Sequence, residues 1–128
     1  MSSKRRVAAL AVGAALACGV TLAATSTAQA AAFVDGRVAA TAGLNVRSGS
    51  PTGPVIDTMP YNSIAQLYCW VSGPAITGPW GTTSVWDAVN GYTTPWGQNV
   101  VYGAGPKVFS SDAWLDTGGD TSKMLPHC

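Results

Sequence analysis

Two kinds of side chain in this sequence could do chemistry, and their spacing limits what each can do. Cys69 is a candidate nucleophile, but a thiol needs a base within hydrogen-bond reach. The single histidine, His127, lies beside another cysteine, Cys128. Asp112, Asp116 and Asp120 recur every four residues, yet Gly118 and Gly119 deny them a helix that would align them. The chain has no glutamate, so a glycosidase would need two aspartates at the right separation. The same three carboxylates are alternative oxygen ligands for calcium. No Gly-x-Ser-x-Gly elbow, phosphate loop or histidine-rich metal spacing occurs. The expectation is a protein that is not an enzyme and holds no cofactor or metal.

The N-terminal residues read as a leader. Lys4-Arg5-Arg6 is a cationic start, and Val7 through Ala24 is uncharged and rich in Ala, Leu and Val. Ala28-Gln29-Ala30 follows as a small-x-small site, which predicts a secretory signal peptide over 1–30 and processing after Ala30. An uncleaved anchor is the alternative, but the apolar run is at the short end of the ~20 residues a spanning helix needs. Cys18 raises a lipoprotein reading. Ala15-Leu16-Ala17-Cys18 lacks a large aliphatic residue three positions before the cysteine, and the apolar run continues through Val20 and Leu22. A secreted protein, extracellular or cell-wall associated, is expected, with one domain over 31–128.

That domain loses the basic cluster. It keeps Arg37, Arg47, Lys107 and Lys123 against six aspartates, so the formal +1 of the whole chain becomes slightly acidic. Four scattered bases do not make the footprint that phosphate backbones require. No nucleic acid partner is expected, no membrane partner after cleavage, and the protein is expected to act as a monomer.

Cys18 leaves with the leader, and an even pair in a small exported domain reads as one disulfide, Cys69–Cys128. It would close a loop of about sixty residues, worth about 4 kcal/mol on the chain-entropy model. Helix signals are nearly absent. Glycine and proline recur every few residues, and short β-favouring runs lie between them. Strands are predicted near Gly36–Ala42, Val55–Met59, Ile64–Val71, Ser84–Val89 and Lys107–Ser110, with one tight helical turn over Ser111–Leu115. In the third run Ala65, Leu67, Cys69 and Val71 share one face, read as inward, while Gln66, Tyr68 and Trp70 share the other. Ser72–Thr83 reads as a loop and Asn90–Pro106 as a long glycine-rich insertion.

The chain carries five Trp, four Tyr and two Phe. Trp86 and Trp114 are expected to pack in the interior. Tyr61, Tyr68, Trp70, Trp80 and Trp96 fall in loops or on the outward side of a strand, so they are the ligand-binding candidates. The alternative is that the insertion folds over these rings as a satellite core. Thr77-Gly78-Pro79-Trp80-Gly81 and Thr94-Pro95-Trp96-Gly97 are two similar loop tips.

Leu44, Asn45, Val46, Arg47, Ser48 and Gly49 form a corner that resembles the one in bacterial SH3-like domains. The order of the parts around it is similar too: a strand before it, a loop over Pro51–Pro54, the central strand, the Trp86 strand and a closing Ser110-Ser111-Asp112 turn. The Cys69–Gly73 segment with Thr77–Thr82 looks like a secreted Gram-positive subgroup whose central-strand cysteine pairs with one at the C-terminus. The resemblance implies an all-β fold, a small SH3-like β-barrel of about five strands with long loops. Within the corner, Asn45 and Gly49 have turn roles of their own, and Arg47 is expected to bond carbonyls or pair with Asp57. The insertion and Lys107-Val108-Phe109 depart from the family pattern.

The function these readings imply is a secreted binding module that recognises cell-wall peptidoglycan, as a glycopeptide, or an extended peptide through exposed aromatics. The alternative is a small secreted protein inhibitor or interaction factor that uses the Pro-Trp-Gly loops.

Overall fold

Alternation of buried and exposed side chains organises this chain. The computed structural model describes residues 33–103, 105 and 107–128; the leader expected over 1–30 lies outside the described residues. Eight strands form one antiparallel sheet: β1 (Val34–Val38), β2 (Leu44–Ser48), β3 (Val55–Met59), β4 (Ile64–Gly78), β5 (Gly81–Thr93), β6 (Asn99–Val101), β7 (Val108–Ser111) and β8 (Leu115–Asp116). Short 3-10 turns at Asp112–Trp114 and Thr121–Lys123 complete it. Among the described residues no helix is long and apolar enough to cross a membrane.

The strand order is β3-β2-β7-β5-β4-β1-β8, with β6 on β5. The hydrogen-bonded path therefore has two ends and does not close. One core nevertheless draws on both ends. Met59 of β3 and Leu44 and Val46 of β2 pack in the same cluster as Val38 of β1 and Leu115 of β8. A flat sheet could not bring these residues together, so the sheet curls over its apolar face. Met59, Leu67, Val38, Val46 and Val89 are fully buried there, and each such side chain is worth about 1.5–3 kcal/mol of removed apolar surface.

The β4–β5 hairpin is the spine. Its register runs from Ile64↔Thr93 to Gly78↔Gly81 and shifts at three places, between Gln66 and Leu67, Leu67 and Cys69, and Ser72 and Ile76. Each irregularity bends the strands, which lets one hairpin serve the core at one end and project past it at the other. The stretch expected as a loop, Ser72–Thr83, is thus the far half of this hairpin. The expected insertion is likewise ordered in its first part: β5 continues to Thr93, and β6 pairs back on Gly91–Thr93. Among the described residues there are eight strands where about five were expected, because the corner (β2), part of the insertion (β6) and Leu115–Asp116 (β8) pair as strands too.

Inward parity holds for Ala65, Leu67 and Cys69, which are buried. Val71 is only half-buried, since the register shift at Leu67/Cys69 turns the strand. The corner folds as β2, with Leu44 and Val46 buried and Asn45 exposed between them. Asn45 Oδ1 accepts from the Thr58 hydroxyl (3.2 Å), Arg47 donates to the Gly53 carbonyl (3.0 Å), and Gly49 has φ +83°. Asp57 is engaged elsewhere: the Tyr92 and Tyr102 hydroxyls donate to its Oδ2 at 2.9 and 2.6 Å.

Cys69 and Cys128 are joined as a disulfide, Cα atoms 5.1 Å apart. The last residues lie along β4 beyond β1. Trp70 N–H donates to Pro126 O (3.1 Å), and Cys128 N–H donates to Trp70 O (2.8 Å).

Candidate functional site

The far end of the β4–β5 hairpin and the segment from Asp112 to Asp120 enclose a cleft of about 470 Å³. Gly78 makes this possible. A Cβ at that position would collide with the Ala113 carbonyl, so only glycine lets the hairpin lie directly against the 3-10 turn. Gly81, at φ +119°, reverses the chain after Pro79-Trp80. Trp80 is left on the lip, 60% exposed. Thr82 and Thr83 continue this wall.

The opposite wall is built from capped turns. Ser111 Oγ accepts from Ala113 N–H at 3.2 Å and starts the first 3-10 turn, which sets Asp112. Asp120 Oδ1 accepts from the Ser122 N–H (2.9 Å) and hydroxyl (2.7 Å) and starts the second. These bonds from Ser122 hold Asp120 below its ordinary range. Asp116 lies opposite Arg37 in the β1–β8 pairing, and the guanidinium sits 3.5 Å from its Oδ2. The three aspartates spaced by four residues thus border one cleft, although glycine denies them a helix. No group of three or more His, Cys, Asp or Glu side chains among the described residues is arranged to hold a metal ion.

Next to Asp112 lies a fourth carboxyl, one not among the sequence-derived candidates. Asp87 of β5 is completely buried, and its Oδ1 accepts from the Thr121 hydroxyl at 2.5 Å. Its Oδ2 and the Oδ1 of Asp112 are both buried without a hydrogen-bond partner. The two carboxyls lie within reach of each other, and Thr121 also donates to Asp112. Burial, and then the neighbouring Asp112, push Asp87 up to about 9, and burial raises Asp112 as well. Asp112 is the member of the pair that lines the cleft. The signal for Asp87 was present in the sequence as one ionisable residue inside the apolar run Val85-Trp86-Asp87-Ala88-Val89.

The five aromatic candidates do not form one surface. Trp80 stands at the Gly78–Gly81 end of the hairpin, whereas Tyr61, in the turn before β4, and Trp96, in the turn after β5, stand at the Ile64–Thr93 end. Tyr61 is exposed, and Trp96 is 68% exposed. Tyr68 packs edge-on against Phe33 and donates its hydroxyl to the Gly105 carbonyl (2.6 Å). Trp70 lies against the His127 ring, centroids 4.6 Å apart. These two rings are covered by the chain's own segments, and Tyr102 is tied down on Asp57. Trp86 is buried, its indole N–H donating to Pro74 O (2.9 Å), and Trp114 is half-buried.

Taken together, the cleft offers an aromatic face, several hydroxyls and a carboxylate excess, with no basic side chain in its lining. Such a lining attracts positive charge and repels anions. The uncharacterized protein YraI of Bacillus subtilis is 30% identical over 105 residues, covering 81% of this chain and 82% of its own length. The uncharacterized protein YraJ of the same organism is 31% identical over 78 residues, 60% of each chain. No family model matches the sequence, and no solved structure matches it.

Proposed function

The chain belongs to the family of Bacillus subtilis YraI, and on that premise we propose that it is an exported binding module that holds cell-wall glycopeptide or an extended peptide in the Trp80 cleft. The observation that carries this reading is the exposed indole of Trp80 on the lip of a cleft floored by carboxylates. An aromatic face supplies flat apolar contact area, and the surrounding oxygens supply orientation. Binding rather than turnover is the reading, supported by the engagement of Asp116 with Arg37 and of Asp120 with Ser122. The curled sheet is read as a small SH3-like barrel, supported by the Leu44–Gly49 corner and by the core shared between its two ends. Export is supported by the leader pattern. A secreted product beginning at Ala31, found by intact mass, would establish processing.

The test is retention on purified peptidoglycan. The oxidised protein is expected to be retained, and Trp80→Ala is expected to weaken retention by about tenfold, as loss of an aromatic anchor does. Absence of wild-type retention would remove the wall-binding reading.

Trp96 favours a second reading, a secreted inhibitor or interaction factor. Its ring is more exposed than Trp80 and stands at the opposite end of the hairpin. A one-to-one complex with a secreted hydrolase, lost in Trp96→Ala and kept in Trp80→Ala, would select it.

A further inference from the structure

We propose that a second groove, beside Arg47, binds an organic carboxylate of the kind that ends a peptide chain. This groove shares no lining residue with the Trp80 cleft and does not rest on the function proposed for that cleft.

The sheet builds the groove on the face turned away from the main core. In β2 the side chains of Leu44 and Val46 enter that core, so Asn45 and Arg47 leave from the other side. Cross-strand pairing sets Arg47 opposite Phe109, Phe109 opposite Ala88, and Ser111 opposite Trp86. Phe109, Ala88 and Trp86 form a second apolar cluster with Cys69, and Ile76 from the far half of the hairpin packs against it. Where the corner meets this cluster a groove of about 240 Å³ remains, and its lining includes Asn45, Arg47, Ile76, Trp86, Ser111 and Trp114.

The polar groups of this lining are donors whose acceptors are missing. Arg47 is half-buried and donates to the Gly53 carbonyl, but among the described residues no carboxylate pairs with it. Asp57 sits across from Val46 and is held by the Tyr92 and Tyr102 hydroxyls. The side-chain acceptors beside Arg47 are already used. Asn45 Oδ1 accepts from the Thr58 hydroxyl, and Ser111 Oγ accepts from Ala113 N–H. What remains is the rest of the guanidinium fork, the Asn45 amide N–H groups and the Ser111 hydroxyl proton. No acidic side chain lines the groove.

A carboxylate answers each of these features. It accepts hydrogen bonds without donating any, and its two oxygens match the planar fork of an arginine. An anion also offsets the cost of a partly desolvated charge that has no counter-ion. The apolar side chains of Ile76 and Trp114 suit carbon attached to that carboxylate, which inorganic phosphate does not carry. A neutral sugar needs acceptors as well as donors, and an ammonium would meet the charge of Arg47.

The experiment titrates the oxidised protein with acetyl-Ala-Leu, whose C-terminal carboxylate is free, and with acetyl-Ala-Leu-amide. Backbone amide shifts of Asn45, Arg47, Ile76 and Ser111 report this groove, and those of Thr82 and Gly118 report the Trp80 cleft. The free acid is expected to bind at least about tenfold more tightly than the amide, the worth of one hydrogen bond to a charged group. The shifts should centre on the first set, and the preference should fall with added salt. Arg47→Gln keeps a donor for the Gly53 carbonyl while removing the charge. Asn45→Asp, at an exposed position, keeps an acceptor for Thr58 and adds a repelling charge. Each should abolish the preference, whereas Lys123→Gln, which alters net charge equally, should keep it. Equal binding of acid and amide, or no binding of either, overturns the proposal. So does tighter binding of inorganic phosphate, a preference that survives both Arg47→Gln and Asn45→Asp, or shifts centred on Thr82 and Gly118.

Discussion

Asp87 and Asp112, 25 residues apart in sequence, lie within side-chain reach of each other, and each keeps one buried carboxyl oxygen without a hydrogen-bond partner. Burial and this neighbour keep the proton on Asp87. The Thr121 hydroxyl completes the arrangement from the segment that leads to Cys128. Three separate elements, β5 and the two 3-10 turns, are thereby joined by a group whose protonation depends on the fold.

The first prediction concerns pH. Asp87 is raised to about 9 in the fold, above the roughly 3.9 of an unfolded aspartate. Between those values the native state holds a proton that the unfolded state has released. Stability is therefore fully present below about pH 4 as far as this group is concerned, and it is lost as pH rises toward 9. Asp112 is raised and acts with the same sign, while Asp57 and Asp120, both lowered, contribute stability that is lost only as pH falls below the ordinary carboxylate range. Asp87→Asn puts a permanent amide where the proton was, so it should flatten the Tm profile between pH 5 and 8. An unchanged slope in that variant would rule out a proton retained on Asp87.

Asp57 is the anchor of the segment that follows β5. Burial pulls its pKa up, but bonds from the Tyr102 and Tyr92 hydroxyls and the Thr58 N–H outweigh this and leave it lowered. The tyrosines move the other way: burial and then Asp57 push Tyr92 up to about 12 and Tyr102 further still. An alkaline absorbance titration should show two tyrosines ionising late, and Asp57→Asn should bring both earlier. Tyr102→Phe is expected to cost about 1–2 kcal/mol in urea unfolding, the worth of one hydrogen bond to a carboxylate.

Reducing the disulfide tests how the C-terminal strap is held. Replacing Cys69 and Cys128 together by serine should cost about 4 kcal/mol through the unfolded chain. It should also change tryptophan emission, because His127 would no longer be fixed against Trp70. Alkylation without reductant of the protein processed after Ala30, which lacks Cys18, should add no mass. A labelled Cys69 would contradict the pairing.

Gly78 ties the hairpin to the cleft. Alanine there meets the Ala113 carbonyl, so Gly78→Ala should displace the hairpin tip, lower Tm and weaken peptidoglycan retention together. Gly97→Ala makes no contact within 4 Å but sits at φ +89°, so it should lower Tm modestly and leave retention intact. Equal loss of retention in both variants would detach Gly78 from the site.

The amino-acid order by itself determined the local matters. Two-residue alternation in Ala65-Gln66-Leu67-Tyr68-Cys69 dictated a strand with Leu67 and Cys69 inward, since successive side chains must leave opposite faces. Cys69 and Cys128 were read as one intramolecular bond, and they are joined; turn chemistry set Gly49 at positive φ. Tertiary structure decided what depends on distance along the chain. Ser72–Thr83 carries loop residues, yet cross-strand bonds and three register shifts extend β4 and β5 through it. That extra length sends Trp80 and Trp96 to opposite ends, so two similar Pro-Trp-Gly tips do not share a surface. The meeting of Asp87 with Asp112, and of Asp57 with two tyrosines, arises because curling of the sheet brings remote segments together. No window of sequence contains both partners of such a contact.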